Sequence, residues 1–228
     1  MEKVLFQDLD LISYQDGYEY QQKCREKLIA WQENPSLFEH HFLLFCEHPP
    51  TYTLGKRGKE ENRLLSLQEL DQKEIAYHVS DRGGDITYHG LGQIVAYFIA
   101  DLSKFKKDLH WYLRSLEEVI ILTLAEYQIQ SYRIEGLTGV WVKENASHLN
   151  PREKKIAAIG IHCKKWVTLH GLALNFDIDL SPFSFIVPCN IPDKGVANLI
   201  NMKQNITRIQ VMDSLKQNFY TVFNLNWI

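Results

Sequence analysis

The sequence lacks the features typical of secreted proteins, membrane-spanning proteins and proteins stabilised by a structural metal. Its four cysteines stand far apart and form no CxxC pair, so neither a disulfide framework nor a zinc ribbon is indicated. That use of cysteine favours a reducing, cytoplasmic location. No apolar run approaches the ~18 residues that a membrane-spanning helix needs. The N-terminus meets acidic side chains at once and has no long apolar core, which argues against a signal peptide.

A strong charge of either sign is also lacking, since the net charge is −3 over 228 residues and the pI is about 6.3. A nucleic-acid-binding protein needs a basic surface, so nucleic acid is not an expected partner, and neither is a membrane. The nucleotide-binding patterns GxGxxG and GxxxxGK[ST] do not occur. We expect a monomer that needs neither a cofactor nor a metal.

The composition is that of an ordinary globular protein, with 45% hydrophobic and 23% charged residues. No repeat, low-complexity stretch or linker divides the chain, so a single catalytic domain over residues 1–228 is expected. Strands outnumber helices, and the long helices do not alternate with them. The expected fold class is therefore α+β, with a mixed or largely antiparallel sheet flanked by helices.

Hydrophobic periodicity and capping residues place the elements along the chain. Ser13 and Thr207 are expected helix caps, Pro49-Pro50 an extended turn, Cys163-Lys164-Lys165 a hairpin turn, and residues 144–152 a polar loop. The predicted helices cover 14–33, 66–72, 109–127 and 207–223, and the predicted strands cover 3–10, 41–46, 75–79, 93–101, 130–134, 138–143, 155–162 and 166–175.

A glycine-rich segment over residues 82–93 is the first candidate for chemistry. It reads Arg-Gly-Gly-Asp-Ile-Thr-Tyr-His-Gly-Leu-Gly-Gln and holds four glycines, which let a backbone approach a ligand closely. Arg82, Thr87, Tyr88 and His89 add donors and a flat ring. A tight structural loop, in which Tyr88 and His89 make only internal hydrogen bonds, is the alternative.

A cysteine between two prolines is the second candidate. Cys189 lies in Val-Pro-Cys-Asn-Ile-Pro, unlike Cys46 in an apolar strand or Cys24 in a helix. A nucleophilic cysteine reacts as its thiolate and needs a basic or positive neighbour. A structural loop thiol is the alternative for Cys189. The candidate neighbours are Lys154, Lys155, Lys194, His162 and His170.

Taken in order, these pieces resemble one family, the lipoyl(octanoyl) transferases of the biotin and lipoate protein ligase superfamily. Residues 82–93 are similar to its RGGxxTYHGxGQ signature, 155–161 to its KIAAxG strand, and 170–175 to its HGxALN stretch. Residues 136–141 resemble a GxxGVW strand, and 187–191 the segment that holds the catalytic cysteine. The resemblance covers about residues 40–200.

The resemblance implies Cys189 as the acyl acceptor and Lys155 as its partner in a cysteine–lysine dyad. It also implies a set of residues around the acyl chain. They are Arg82, Gly83, Gly84, Asp85, Ile86, Thr87, Tyr88, His89, Ala158, Ile159, Gly160, Gly171, Leu172 and Ala173.

The implied reaction moves an octanoyl group from acyl carrier protein to a lysine of a lipoyl domain, through a cysteine thioester, in lipoate biosynthesis. The implied acceptors are the lipoyl domains of 2-oxoacid dehydrogenase complexes and the glycine cleavage H protein. Because carrier proteins are acidic, the basic segments 56–59 and 164–165 are candidate docking surfaces, although a solvated charged turn would look the same.

Three departures from the family pattern stand out. Leu91 and Asn190 replace the usual proline and glycine, and Ala197-Asn198 replaces Thr-Ser. Three other activities stay open: an ATP-dependent lipoate or biotin protein ligase, an amidotransferase between lipoyl proteins, and a non-catalytic carrier-binding domain.

Overall fold

Two β-sheets and five α-helices make up the part of the chain that the computed structural model describes, residues 1–34, 36, 40–143, 153–187 and 195–228. The helices are α1 (Tyr14–Glu33), α2 (Leu67–Gln72), α3 (Leu109–Glu126), α4 (Leu199–Met202) and α5 (Arg208–Phe223). The strands are β1 (Glu2–Leu11), β2 (His41–Glu47), β3 (Thr51–Leu54), β4 (Ala76–Val79), β5 (Ile86–His89), β6 (Gln93–Ile99), β7 (Ser131–Tyr132), β8 (Val140–Lys143), β9 (Glu153–Lys164), β10 (Val167–Asn175), β11 (Gly195–Val196) and β12 (Leu225–Trp227).

The larger sheet has the strand order β12-β1-β2-β6-β10-β9-β8-β7, with β11 paired to β9. Pairing from β2 through β7 is antiparallel, whereas β1 lies parallel to β2 and β12, and β11 lies parallel to β9. A smaller sheet has the order β4-β3-β5. The predicted α+β class with a mixed, largely antiparallel sheet is confirmed.

Helices cover both faces of the larger sheet. On one face α3 and α5 pack on the central strands through Tyr112, Leu116, Leu215 and Phe219, all fully buried. On the other face α1 packs through Leu28 and its neighbours. Helices on both faces explain why β6 and β10 are buried along their whole length rather than at alternate residues.

The helix ends follow the predicted caps. The Ser13 hydroxyl accepts a hydrogen bond from the Asp16 amide, at 3.1 Å, and α1 begins at Tyr14. Thr207 and Gln210 form a reciprocal capping box at the start of α5. The predictions for 14–33, 66–72, 109–127 and 207–223 agree with the helices to within one residue. No helix within the described ranges is long and apolar enough to cross a membrane.

Two strands lie where none was predicted, and one predicted turn is shifted. Strand β3 directly follows Pro49-Pro50, and strand β5 lies within the glycine-rich segment. The hairpin turn lies at Lys165 and Trp166, whose φ angles are 53° and 64°, rather than at 163–165. Two consecutive positive φ values match the right-handed twist of the flanking strands. The predicted loop 144–152 lies outside the described residues.

Candidate active site

An elongated cavity of about 440 Å³ lies where β9 and β10 meet the glycine-rich segment. Its volume falls in the range of small-molecule sites, ~300–1,000 Å³. One end is lined by Lys155 and Trp141, and the other by His170. His170 is paired with Ile161, six residues along β9 from Lys155, so the two ends lie about 20 Å apart along the strand.

The glycine-rich segment lies directly on β9. The Gly83 amide donates to the Ile161 carbonyl oxygen at 2.8 Å. A Cβ on Gly160 would lie 2.8 Å from the Gly83 carbonyl oxygen, too close for any side chain. Glycine at 83 and 160 therefore permits the contact between loop and strand that forms one wall of the cavity.

Arg82 holds the same segment to the smaller sheet. Its side chain is 8% exposed and donates to the Thr53 hydroxyl at 3.0 Å, to the Thr53 carbonyl, and to the Gly83 carbonyl at 3.1 Å. Asp85 accepts from the Asn62 side-chain amide at 2.7 Å. Arg82 thus acts on the cavity by fixing the loop that lines it.

His89 begins a chain of buried hydrogen bonds. Its Nδ1 donates to Gln93 Oε1 at 2.7 Å, and Gln93 Nε2 donates to Asn175 Oδ1 at 2.9 Å. Asn175 Nδ2 donates to the Ala197 carbonyl at 3.0 Å, and the Ala197 amide donates to the Lys155 carbonyl at 3.0 Å. The glycine-rich segment and the Lys155 strand are therefore held in a fixed relation.

Burial lowers the pKa of His89 to about 3, and the charges of His48 and Arg82 act in the same direction. The neutral ring then accepts at Nε2, where the Thr53 hydroxyl lies 3.4 Å away. In the unfolded chain, His89 takes up a proton when the pH falls below 6.5, its ordinary pKa. In the folded protein the same ring stays neutral at that pH. Stability contributed by neutral His89 is therefore present above pH 6.5 and declines toward pH 3.

The His89→Gln variant should lose less stability than the wild type between pH 7 and pH 5. Each such histidine contributes a slope of up to about 1.4 kcal/mol per pH unit. His48 and His170 are also buried with lowered pKa values, so the slope should decrease rather than vanish. Urea unfolding at pH 7, 6 and 5 measures the free energy of unfolding and so its slope against pH. His110 is exposed, so His110→Gln should keep the wild-type dependence of stability on pH. An unchanged dependence in His89→Gln would contradict the conclusion that His89 is neutral in the folded protein.

At the far end of the cavity, His170 is 2% exposed, and its Nε2 lies 2.6 Å from Asp81 Oδ1. His162 contacts the other oxygen of the same carboxylate. Burial would raise the pKa of Asp81, but the hydrogen bond from His170 and the charges of both histidines hold it below its ordinary value. Tyr18 stacks on the His170 ring at 5.6 Å, which fixes its plane.

At the end of the cavity opposite His170, the Lys155 Nζ lies 4.8 Å from the centroid of the Trp141 ring, within cation–π range. Gly195 and Val196 line this end of the cavity, and they pair in β11 with Lys154 and Lys155. Of the candidate partners for a cysteine, Lys155 and His170 line the cavity, whereas Lys154 and His162 do not. Lys194 lies outside the described residues.

Most of the predicted acyl-site residues lie around this one cavity. Tyr88 does not line it, because its ring packs against Tyr52 and Phe183 in the core of the smaller sheet. Cys189 lies outside the described residues. The predicted residues that line the cavity are Arg82, Gly83, Gly84, Asp85, Ile86, Thr87, His89, Ala158, Ile159, Gly160, Gly171, Leu172 and Ala173.

Sequence reasoning missed several lining residues, among them Tyr14, Val95 and Tyr97. Tyr97 is 4% exposed, and its hydroxyl lies 2.7 Å from His48 Nε2, which accepts because Nδ1 faces the Ile12 carbonyl at 2.7 Å. These residues sit in an apolar strand or a helix, so their pattern indicates only burial. Within the described ranges, no group of three or more His, Cys, Asp or Glu side chains is placed to hold a metal ion.

Known proteins resemble this chain in sequence over most of its length. The model of the lipoyl protein ligase A/B catalytic domain matches residues 18–220. An octanoyltransferase of Cytophaga hutchinsonii is 45% identical over 98% of this chain and 93% of its own. An octanoyltransferase of Flavobacterium johnsoniae is 45% identical over 91% of this chain and 89% of its own.

Solved structures show the same fold at low sequence identity. A bipartite lipoate protein ligase from Thermoplasma acidophilum superposes with a TM-score of 0.71 at 16% identity, covering 100% of this chain and 85% of that one. A lipoate-protein ligase A bound with ATP superposes with a TM-score of 0.67 at 17% identity, covering 100% of this chain and 88% of that one. The chain belongs to the octanoyltransferases, the acyltransferases of lipoate biosynthesis built on the lipoyl protein ligase A/B catalytic domain.

Proposed function

We propose that the chain transfers an octanoyl group from acyl carrier protein to a lysine of a lipoyl domain, through a thioester on Cys189, with Lys155 as the basic partner. The observation that carries the proposal is the position of Lys155. Its amine lies at one end of a cavity whose walls contain most of the residues implied to hold the acyl chain.

The described residues on both sides of the cysteine segment support this assignment. On one side, the Val187 amide donates to the Asn62 carbonyl at 2.8 Å, and Asn62 also binds Asp85 of the glycine-rich segment. On the other side, Gly195 lines the cavity and pairs with Lys154 in β11. The described residues thus stop at Val187, near the glycine-rich segment, and resume at Gly195 beside Lys154 and Lys155.

The chemistry requires no nucleotide. Lys155 takes the proton of the Cys189 thiol and stabilises the resulting thiolate, which attacks the donor thioester carbonyl. The bond from the carbonyl carbon to the carrier sulfur breaks, and the carrier leaves as its thiol with the proton that Lys155 gives up. One thioester replaces another, so this step is nearly neutral in free energy. In the second step the lysine amine of the acceptor attacks the Cys189 thioester, and Lys155 in its neutral form takes the amine proton. The bond from the carbonyl carbon to Cys189 Sγ breaks, so that an amide forms and Cys189 is released as its thiolate beside protonated Lys155. The conversion of thioester to amide drives the transfer.

The cavity walls suit a saturated chain. Gly83, Gly160, Gly171, Ala158 and Ala173 leave space between the strands and the loop, and each methylene buried there contributes about 0.8 kcal/mol. Gly160 and Gly171 also permit close backbone packing, because a Cβ on Gly171 would overlap the Ala96 carbonyl oxygen. Gly160 and Gly171 therefore both leave space for the acyl chain and allow the strands to pack closely.

The proposed partners and cellular location follow from the reaction. An acidic carrier is expected to dock near Arg57, which lines the cavity, with Lys56 and Lys59 beside it. The acceptors are lipoyl domains of 2-oxoacid dehydrogenase complexes and the glycine cleavage H protein. Residues 1–228 act as one catalytic domain, as a monomer, in the cytoplasm.

A transfer assay tests the activity. The purified protein is mixed with octanoyl acyl carrier protein and an unmodified lipoyl domain, with and without ATP, and the lipoyl domain is weighed by mass spectrometry. We expect octanoylation at the same rate in both mixtures. Product that requires ATP and free octanoate or lipoate would instead indicate a ligase. Faster transfer from an octanoylated H protein would indicate an amidotransferase.

A further inference from the structure

The proposed acyl-transfer reaction makes no use of Glu117, yet its carboxylate is 1% exposed and surrounded by donors from three parts of the chain. Oε2 accepts from Arg114 at 2.7 Å and from Arg133 at 3.0 Å. Oε1 accepts from the backbone amide of Gly139 at 3.1 Å. Arg133 also binds Glu118 at 2.6 Å. A buried carboxylate in α3 is therefore tied to the segment that precedes β8.

That segment forms the wall of the cavity next to Lys155. Gly136, Leu137 and Thr138 line the cavity. Gly139 has a φ of +115°, and a Cβ there would lie 2.7 Å from the Ala157 carbonyl oxygen and 3.3 Å from Lys155 Cε. The Gly139 backbone therefore lies beside the side chain of Lys155, with no room for a larger residue between them, and Glu117 holds that backbone through the Gly139 amide.

We propose that Glu117 is a positioning residue for acyl transfer: by accepting the Gly139 amide while it pairs with Arg133, it holds segment 136–139 against Lys155 and sets the location of the lysine amine. The inference rests on the proposed function, because that function gives Lys155 its role. A misplacement of about 1 Å in a reacting group can cost ~10²-fold in rate. The hydrogen bond between Gly139 and Glu117 therefore affects the chemical step rather than the affinity for the donor.

We expect a variant that lacks Glu117 to fold. The Arg114 and Arg133 side chains are 33% and 32% exposed, so water can solvate both once the carboxylate is gone. Glu117→Leu removes the acceptor for the Gly139 amide. Glu117→Gln keeps an oxygen there and is the conservative rescue. Arg114→Gln removes one guanidinium but leaves the bond to Gly139, so it serves as the matched control.

The test measures the steady-state rate of ATP-free octanoyl transfer to a lipoyl domain at varied concentrations of octanoyl acyl carrier protein. For Glu117→Leu we expect kcat to fall roughly 10- to 100-fold while the donor KM changes less than about threefold. Glu117→Gln should recover most of the loss, and Arg114→Gln should stay within about twofold of the wild type. A thermal melt confirms that each variant is folded at the assay temperature.

Two outcomes overturn the inference. One is a folded Glu117→Leu with the wild-type kcat, and the other is an equal loss in Arg114→Gln, which would show a general stabilising role. If Glu117→Leu does not fold, Glu117→Asp carries the same expectation, since its shorter side chain keeps the charge but withdraws from Gly139. A wild-type protein that is not acylated by the donor contradicts the proposed function itself, which separates the two failures.

Discussion

Replacing Lys155 by methionine should reduce kcat/KM for octanoyl transfer at least about 100-fold, the lower range for loss of a general acid–base group. Methionine keeps most of the length of the side chain and a favourable contact with the Trp141 ring, so the cavity wall should persist. What is lost is the amine that stabilises the thiolate and takes the proton. Steady-state transfer to a lipoyl domain measures the effect.

The neighbouring lysine supplies the control. Lys154 is on the same strand but does not line the cavity, so Lys154→Met should stay within about threefold of the wild type. Equal losses in both variants would point to a general effect of charge on donor docking. A Lys155→Met enzyme with full activity would exclude Lys155 from the reaction.

Adding a single methyl group at Gly171 should lower the free energy of unfolding by about 3 kcal/mol or more, the upper range for overpacking a core. Gly171 lies in β10 between β6 and β9, opposite Tyr97 and Gly160. A Cβ there would overlap the Ala96 carbonyl oxygen, which belongs to the backbone and cannot rotate away. Urea unfolding of Gly171→Ala measures the loss.

Gly195→Ala provides the contrast. Among the described residues, the three atoms nearest to its Cβ would belong to the Lys154 side chain, at 3.4 Å or more, and a lysine side chain can move away. The free energy of unfolding should therefore change by less than about 1 kcal/mol, as for an ordinary surface substitution. Similar losses in the two variants would mean that the close packing of β10 on β6 is not what requires glycine at 171.

The elements that the sequence predicts well are those whose signals are local. Ser13 and Thr207 cap their helices through hydrogen bonds within three residues, and the apolar face of 109–127 is periodic. Strands β3 and β5 are four residues each. Among the described residues β3 pairs with β4 and β5, so the evidence for these strands lies in partners that are distant in sequence. The same limit applies to Glu117, which meets Gly139 only after α3 packs on the sheet.

The family motifs predicted which residues line the cavity better than the chemistry of the individual residues did. Most residues from the glycine-rich, β9 and β10 motifs converge on one cavity, whereas Tyr88 faces the core because side chains alternate along β5. Composition gave no reason to choose Lys155 over Lys154. Their positions on adjacent residues of β9 decide which of them faces the cavity.

Two departures from the family pattern have a structural explanation. Asn198, where serine is usual, caps α4 by accepting from the Asn201 amide at 3.1 Å, and both residue types are good caps. Ala197 binds Asn175 and Lys155 through its backbone, and its side chain is buried in the main hydrophobic core, where alanine leaves no hydroxyl in need of a partner. Leu91 stands 55% exposed in the turn before β6, where the loss of proline alters no packing. Asn190 lies outside the described residues.

The acyl-enzyme itself is the most direct test of the account. The wild-type protein and a Cys189→Ser variant are incubated with octanoyl acyl carrier protein without ATP, and the intact proteins are weighed. We expect the wild type to gain the mass of one octanoyl group, removable by hydroxylamine and located at Cys189, and the variant to gain no hydroxylamine-labile group. A wild-type protein without the adduct, or an adduct of equal lability in Cys189→Ser, would contradict the thioester mechanism.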